Sequence, residues 1–126
     1  MSKYVLDASA VLALLNQEPG KDQVAALLPQ SLVSAVNAAE VLSKLVDAGM
    51  PIDTAAESLD LLRVEIIDFT RALAIRSASL RQPTRKRGLS LGDRCCLALG
   101  IESGSEVVTA EKDWEKLKLC SVTTIK

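Results

Sequence analysis

The sequence predicts an α/β fold, a three-layer α/β/α sandwich in which helices cover both faces of a central, mainly parallel sheet. Three observations carry that expectation. Short apolar runs alternate with helix-start signals along the whole chain, with no linker and no internal repeat, which is the pattern of successive right-handed crossovers. The length, 126 residues, and a hydrophobic content of 48% suit one domain, residues 1–126, with a core large enough to need no staples. Finally, acids recur where apolar runs give way to helix starts: Asp7, Glu40, Asp93, and the pair Glu111 and Asp113. If the runs are parallel strands, those carboxylates leave the same edge of one sheet, where α/β folds build their sites.

Taken in order, Tyr4 to Leu6 reads as a buried strand, and Ala10 to Leu15 begins a helix that Glu18-Pro19-Gly20 stops. A second helix spans about Lys21 to Leu28, ended by Pro29, and Leu32 to Ser34 is the second strand. Asn37 is placed to cap a helix running to about Ala48, closed by Gly49-Met50-Pro51. Asp53 is placed to cap the next, whose Ala55, Ala56, Leu59 and Leu62 fall at helical spacing. Val64 to Ile67 is the third strand, Asp68 the expected cap of a helix to about Leu80, and Pro83 to Gly88 a loop. The helix from Leu91 to about Glu102 is apolar from Cys95 to Ile101, so it should lie buried against the sheet. Glu106 to Thr109 is the fourth strand, a short helix follows around Trp114 to Leu117, and Ser121 to Ile125 closes the sheet.

Composition removes several function classes. The chain has no histidine, which excludes a Ser-His-Asp triad, a Cys-His pair and a histidine-ligated zinc site. An aromatic content of 2% argues against base-stacking platforms as the main mode of nucleic-acid binding. Three cysteines, Cys95, Cys96 and Cys120, form no Cys-x-x-Cys spacing and leave an odd count, which fits packing residues in a reducing cytoplasm. An acid interrupts the N-terminal apolar stretch at Asp7, and no apolar run approaches the roughly 20 residues of a membrane helix. The expected location is therefore the cytoplasm, away from membranes.

Formal net charge is −1, but it is unevenly placed. From Arg71 to Arg94 seven basic residues face one acid, Asp93, a balance of +6, and the remainder carries −7. A basic arm leading into an acidic motif is what a polyanion-binding surface beside a metal site shows, and a solvated loop over Arg81 to Gly88 shows it equally.

Each acid also has a plain reading. Asn37-Ala38-Ala39-Glu40 and Ser90-Leu91-Gly92-Asp93 both match a capping box. Asp7 closes a buried strand, where a carboxylate needs a partner, and a local network through Ser9 would supply one. Asp113 suits the first turn of the last short helix. Independent caps, however, have no reason to share one sheet edge, and clustered carboxylates need a cation.

At these residues the chain resembles the PIN-domain ribonucleases, and more narrowly the VapC-like toxins of type II toxin–antitoxin pairs. The resemblance runs through Val5-Leu6-Asp7-Ala8-Ser9-Ala10, Ala38-Ala39-Glu40-Val41, Leu89-Ser90-Leu91-Gly92-Asp93 and Val107-Val108-Thr109-Ala110-Glu111-Lys112-Asp113-Trp114, in that order and spacing. It implies an α/β/α sandwich whose acids hold Mg²⁺ or Mn²⁺. Matched residue by residue, that role falls on Asp7, Glu40 and Asp93, with Glu111 or Asp113 as the fourth acid, since the fourth block carries a glutamate where the family commonly has aspartate. Ser9 and Thr109 are the matching hydroxyls that would orient Asp7.

The resemblance implies hydrolysis of RNA phosphodiester bonds, leaving a 5′-phosphate and a 3′-hydroxyl. Hard divalent ions prefer carboxylate oxygen and offset the charge of the phosphodiester. Arg85, Lys86, Arg87 and Arg94 are the expected phosphate contacts, holding the backbone without reading sequence. The implied partners are the RNA substrate, a second copy in a homodimer and a cognate antitoxin. The antitoxin's helix would fit a groove between the helices around Glu40 to Val46 and Ile52 to Leu62, and an antitoxin arginine would pair with the acids.

Two rivals share part of the pattern. A catalytically silent PIN-like RNA- or protein-binding module has every block, and the departure at Glu111 keeps it open. A receiver-like signalling domain needs an acidic pair beside the first strand, and Asp7 stands there alone.

Overall fold

Side chains alternate across a strand, so a strand covered on both faces must feed two cores at once. The computed structural model describes residues 2–125, and the three central strands of its sheet do this. The five strands are β1 (Tyr4–Leu6), β2 (Ser31–Ser34), β3 (Glu65–Ile67), β4 (Glu106–Thr109) and β5 (Val122–Thr124). All pair in parallel, in the order β3-β2-β1-β4-β5, with Val5 opposite both Leu32 and Val107.

One core joins Leu6, Val33 and Val108 to Val11, Val24, Val41, Leu45 and Leu59. Those partners come from α1 (Ala8–Leu15), α2 (Lys21–Leu27), α3 (Ala35–Asp47) and α4 (Ile52–Asp60). The other core joins Val5, Leu32 and Val107 to Leu73, Cys96, Leu97, Leu99 and Trp114, carried by α5 (Arg71–Ser79), α7 (Leu91–Ser103) and a 3-10 turn at Lys112–Lys116. Between α5 and α7 the chain forms a short α6 (Arg81–Thr84) and a 3-10 turn at Arg85–Arg87. The fold is thus the expected α/β/α sandwich. The apolar face of α7 seen in sequence is buried from Cys95 to Gly100.

Several local expectations are corrected. Helix α3 is capped by Ser34, whose hydroxyl accepts from Val36 N, and Asn37 lies inside the helix. Thr70, not Asp68, caps α5, and Pro51 rather than Asp53 precedes α4. The stretch from Pro83 to Gly88 is helical turns rather than open loop, because Pro83 falls in the first turn of α6, where its missing N–H costs no helical bond. Gly88 ends the stretch at φ +66°, the left-handed region that a glycine tolerates. Cys95 and Cys96 are buried, Cys120 is half-buried, and all three are free thiols.

The topology positions the site. Chain order runs outward from β1 to β2 and β3, then returns across to β4 and β5. The reversal falls between β1 and β4, and the crevice beyond their carboxyl ends is the usual binding place of such sheets. Asp7 follows β1 there, and Thr109 ends β4.

Candidate active site

Asp7 occupies the first position after β1 and is 4% exposed. Its backbone N–H still donates to Val108 O at 3.1 Å, so the ladder to β4 continues through it. Its side chain then starts α1: Oδ1 accepts from Ala10 N at 2.9 Å and from Ser9 Oγ at 2.7 Å, while Oδ2 accepts from Thr109 Oγ1 at 2.6 Å. Ser9 Oγ accepts in turn from Ala110 N, and Thr109 Oγ1 from Glu111 N. Two hydroxyls therefore fasten Asp7 to a segment a hundred residues away.

Burial nevertheless wins over those hydrogen bonds and raises the Asp7 pKa from 3.8 to about 6, with the charge of Asp93 adding to the rise. The carboxylate is short of positive charge.

Helix α3 supplies Glu40. Its Oε1 accepts from Asn37 Nδ2 at 2.7 Å, and the same amide nitrogen donates to Gly92 O on α7 at 3.1 Å. Gly92 has no side chain to spare here, since a Cβ on it would collide with the Glu40 carboxylate. Asp93 lies in the first turn of α7 in a capping box: Ser90 N donates to Asp93 Oδ2 at 2.9 Å, and Asp93 N donates to Ser90 Oγ at 3.2 Å. Sequence offered two capping boxes, and the fold makes one.

Asp7, Ser9, Asn37, Glu40, Lys44, Asp93 and Glu111 line a single cavity of about 190 Å³. An adjoining cleft of about 440 Å³ shares Asp93 and Glu111 and adds Arg87, Asp113 and Trp114. Asp113 thus faces the neighbouring cleft and pairs with Lys116 at 3.6 Å, whereas Glu111 lines both hollows. A larger hollow of about 660 Å³ lies elsewhere, but Glu115 is its one carboxylate. Chemistry, rather than size, singles out the acid cavity.

The residues expected to touch phosphate divide. Arg85, Lys86 and Arg87 are exposed, and Arg87 reaches the cleft wall beside Asp93. Arg94 turns the other way: Nη1 donates to Ser77 O at 3.2 Å, and Nε is buried. Two lining residues escaped the sequence reading, Asn37 as a site residue and Lys44 altogether. With Glu40 they follow a 37, 40, 44 spacing, one face of a helix, and that spacing was the available signal.

The donor set suits a hard divalent cation, being four carboxylates with hydroxyl oxygens and no sulfur. Among the described residues, however, no three metal-ligating side chains already converge on one point. Asp93 and Glu40 are held by their own neighbours, so the acids share a wall rather than form a finished cage.

The sequence profile of one family, described as PIN domain, matches residues 4–119. Comparison with curated proteins gives no significant match. Among solved structures the fold is similar to VapBC2 from Rickettsia felis bound to a DNA fragment from its promoter, at 19% identity and TM-score 0.76, covering 96% of this chain and 97% of that one. It is also similar to a toxin–antitoxin complex from Klebsiella pneumoniae, at 22% identity and TM-score 0.73, covering 97% of both. A third is VapC20 of Mycobacterium tuberculosis, described as a sarcin-ricin loop cleaving toxin, at 15% identity and TM-score 0.75, covering 92% and 95%.

Proposed function

Because the chain belongs to the PIN domain family, we propose that it is a Mg²⁺- or Mn²⁺-dependent endoribonuclease, the toxin of a VapBC-type toxin–antitoxin pair. One observation carries the reading: Asp7, Glu40, Asp93 and Glu111, from four separated segments, line one cavity at the switch point of the sheet. A buried Asp7 with too little compensating charge supports it. The solved structures with the same fold include one described as a sarcin-ricin loop cleaving toxin, which supports RNA as substrate.

In this reading a bound ion supplies charge neutralisation at the phosphodiester and acidifies water for attack. The chain's own residues do the rest. Ser9 and Thr109 hold Asp7 with one oxygen toward each neighbouring segment, so the ligand cannot swing away. Ser90 N fixes Asp93 through its cap, and Glu111 is the fourth acid in preference to Asp113, which faces the neighbouring cleft. Arg87 on one side of the acids and Lys44 on the other bracket a path for the RNA backbone, with Arg85 and Lys86 extending it. Arg94 contributes to the α5–α7 contact rather than to that path.

The partners follow from the same reading. Between α3 and α4 a hollow of about 240 Å³ is lined by Leu42, Val46 and Ile52, and the last two are exposed. It suits an apolar antitoxin segment, whose arginine would neutralise the acids; a homodimer completes the assembly. Among the described residues no helix is long and apolar enough to cross a membrane.

The test is cleavage of a total-RNA pool with Mn²⁺, with Mg²⁺ and with EDTA, sequencing the new ends. New 5′-phosphate ends that require the metal support the proposal, and an unaltered pool rejects it. The second reading, a silent RNA- or protein-binding module, draws on the absence of a finished ligand cage among the described residues. It predicts metal-independent RNA retention without new ends.

A further inference from the structure

We infer that Asn37 is a positioning residue that sets Glu40 and the start of α7 at a fixed separation, an inference that rests on the metal-dependent nuclease reading. Asn37 is 1% exposed, the third residue of α3, and has no role as a cap. Its Nδ2 donates to Glu40 Oε1 at 2.7 Å and to Gly92 O at 3.1 Å. Gly92 O belongs to the peptide immediately before Asp93. One amide group thus ties one acid of the cavity to the backbone that carries another, across 55 residues of chain.

The geometry admits one orientation. Both partners are acceptors, so the nitrogen must face them, and flipping the amide would set oxygen against oxygen. The consequence is that Asn37 Oδ1 is buried with no donor. Burying an acceptor unpaired costs free energy, and a leucine, nearly the same shape, would fill the space without that cost. The unpaired Oδ1 thus offsets what the two bonds from Nδ2 contribute, so stability alone is a weak reason for an asparagine here, whereas holding a carboxylate is a direct one.

The surroundings make the hold effective. Helices α3 and α7 approach so closely that a Cβ on Gly92 would overlap the Glu40 carboxylate. Glu40 passes through that gap with Asn37 on its flank, so few rotamers remain to it. A freely rotating glutamate gives up side-chain entropy on every capture of an ion; one already held gives up less.

Calorimetric titration of Mn²⁺ into the whole chain, without RNA, tests the assignment. Asn37→Leu should lower Mn²⁺ affinity ten- to a hundredfold, while its melting temperature in EDTA stays at or above the native value. Asn37→Ala provides a second variant should leucine overfill the site. In a Glu40→Ala background, where the held carboxylate is gone, either change should cost clearly less than in the native chain, since much of its effect acts through that contact. Unchanged affinity in a folded variant overturns the role, as does an equal loss in both backgrounds, or failure of both variants to fold. If the native chain itself takes up no Mn²⁺, the nuclease reading falls and this inference with it; native uptake matched by the variants removes Asn37 alone.

Discussion

The segments Asn37–Glu40 and Ser90–Asp93 share a pattern, a capping-type residue three positions before an acid, and both put that acid on the wall of the same cavity. In α7 the acid serves the helix as well: Asp93 accepts from Ser90 N while Ser90 Oγ accepts from Asp93 N. In α3 the helix has already been capped by Ser34, and the Asn37 amide serves Glu40 and Gly92 instead. Asp93 therefore caps its own helix apart from any chemistry, and Glu40 caps none. The same spacing yields a capped helix where the first residue is at the helix boundary, and a carboxylate clamp where it is one turn inside.

The sharpest way to break the contrast is to remove each acid and measure cleavage and stability together. Asp93→Ala and Glu40→Ala should each reduce Mn²⁺-dependent RNA cleavage by at least about 100-fold, the loss of several kcal/mol of charge stabilisation. Equal loss with different stability is the expected signature, read by single-turnover cleavage beside thermal melts. Full activity in either variant would take that acid out of the site.

Asp7 extends the comparison, because it too caps a helix, yet it is buried where Asp93 is half-buried. Its folded pKa of about 6 lies above the unfolded 3.8. The native state therefore binds the proton more tightly, and as pH rises from about 4 to about 6 this group takes stability away. Asp7→Asn removes that loss: Oδ1 keeps its donors, and the new amide meets Thr109 Oγ1, which can accept. Metal-free Asp7→Asn should be more stable than the native chain at pH 7, by up to about 3 kcal/mol for two pKa units, with no such gain at pH 3.5. Chemical denaturation in EDTA at the two pH values checks it, and a variant less stable at pH 7 would mean that the network outweighs the desolvation.

How much of this was legible follows from the same residues. The alternating apolar runs announced the parallel sheet because every central strand feeds two cores, as Val5 and Leu6 do. The acids were legible as recurring blocks, but only Asp7 and Glu111 follow strand ends, those of β1 and β4; Glu40 is carried by α3 and Asp93 by α7, which no strand directly precedes. Asn37 was misread because Ser34 and Asn37 both make good caps, and only burial decides between them. The direction of Arg94 was not legible because charge in a sequence has none, and the guanidinium turns to the Ser77 carbonyl. The helical turns over Arg81–Arg87 were hidden by Pro83, a helix breaker except in the first turn, where it sits. Lys44 was reachable from helical spacing alone.

Gly92→Ala separates the two segments from the other side. An alanine is about 1 kcal/mol better than glycine inside a helix, so α7 alone would gain. Its Cβ, however, takes the space of the Glu40 carboxylate, the flexible end of a side chain that can be displaced. The expected result is a melting temperature near the native value with cleavage reduced about tenfold. A stabilised variant with native cleavage would show that Glu40 need not stay where Asn37 holds it.

The smallest effect tests the structural half of the comparison directly. In metal-free protein Asp93→Ala loses the side-chain acceptor for Ser90 N and the favourable charge at the start of α7, together about 1 kcal/mol. Glu40→Ala removes one of the two acceptors of Asn37 Nδ2, leaves Gly92 O in place and disturbs no cap, so its cost should stay within about 0.5 kcal/mol. For a chain of this size the difference corresponds to a few degrees of melting temperature, resolvable by calorimetry in EDTA. Added Mn²⁺ should then stabilise the native chain and neither variant to the same extent, because ligand binding to the folded state adds stability in proportion to its affinity. If Asp93→Ala costs no more than Glu40→Ala without metal, the capping box contributes nothing measurable, and the two segments differ in geometry but not in energy.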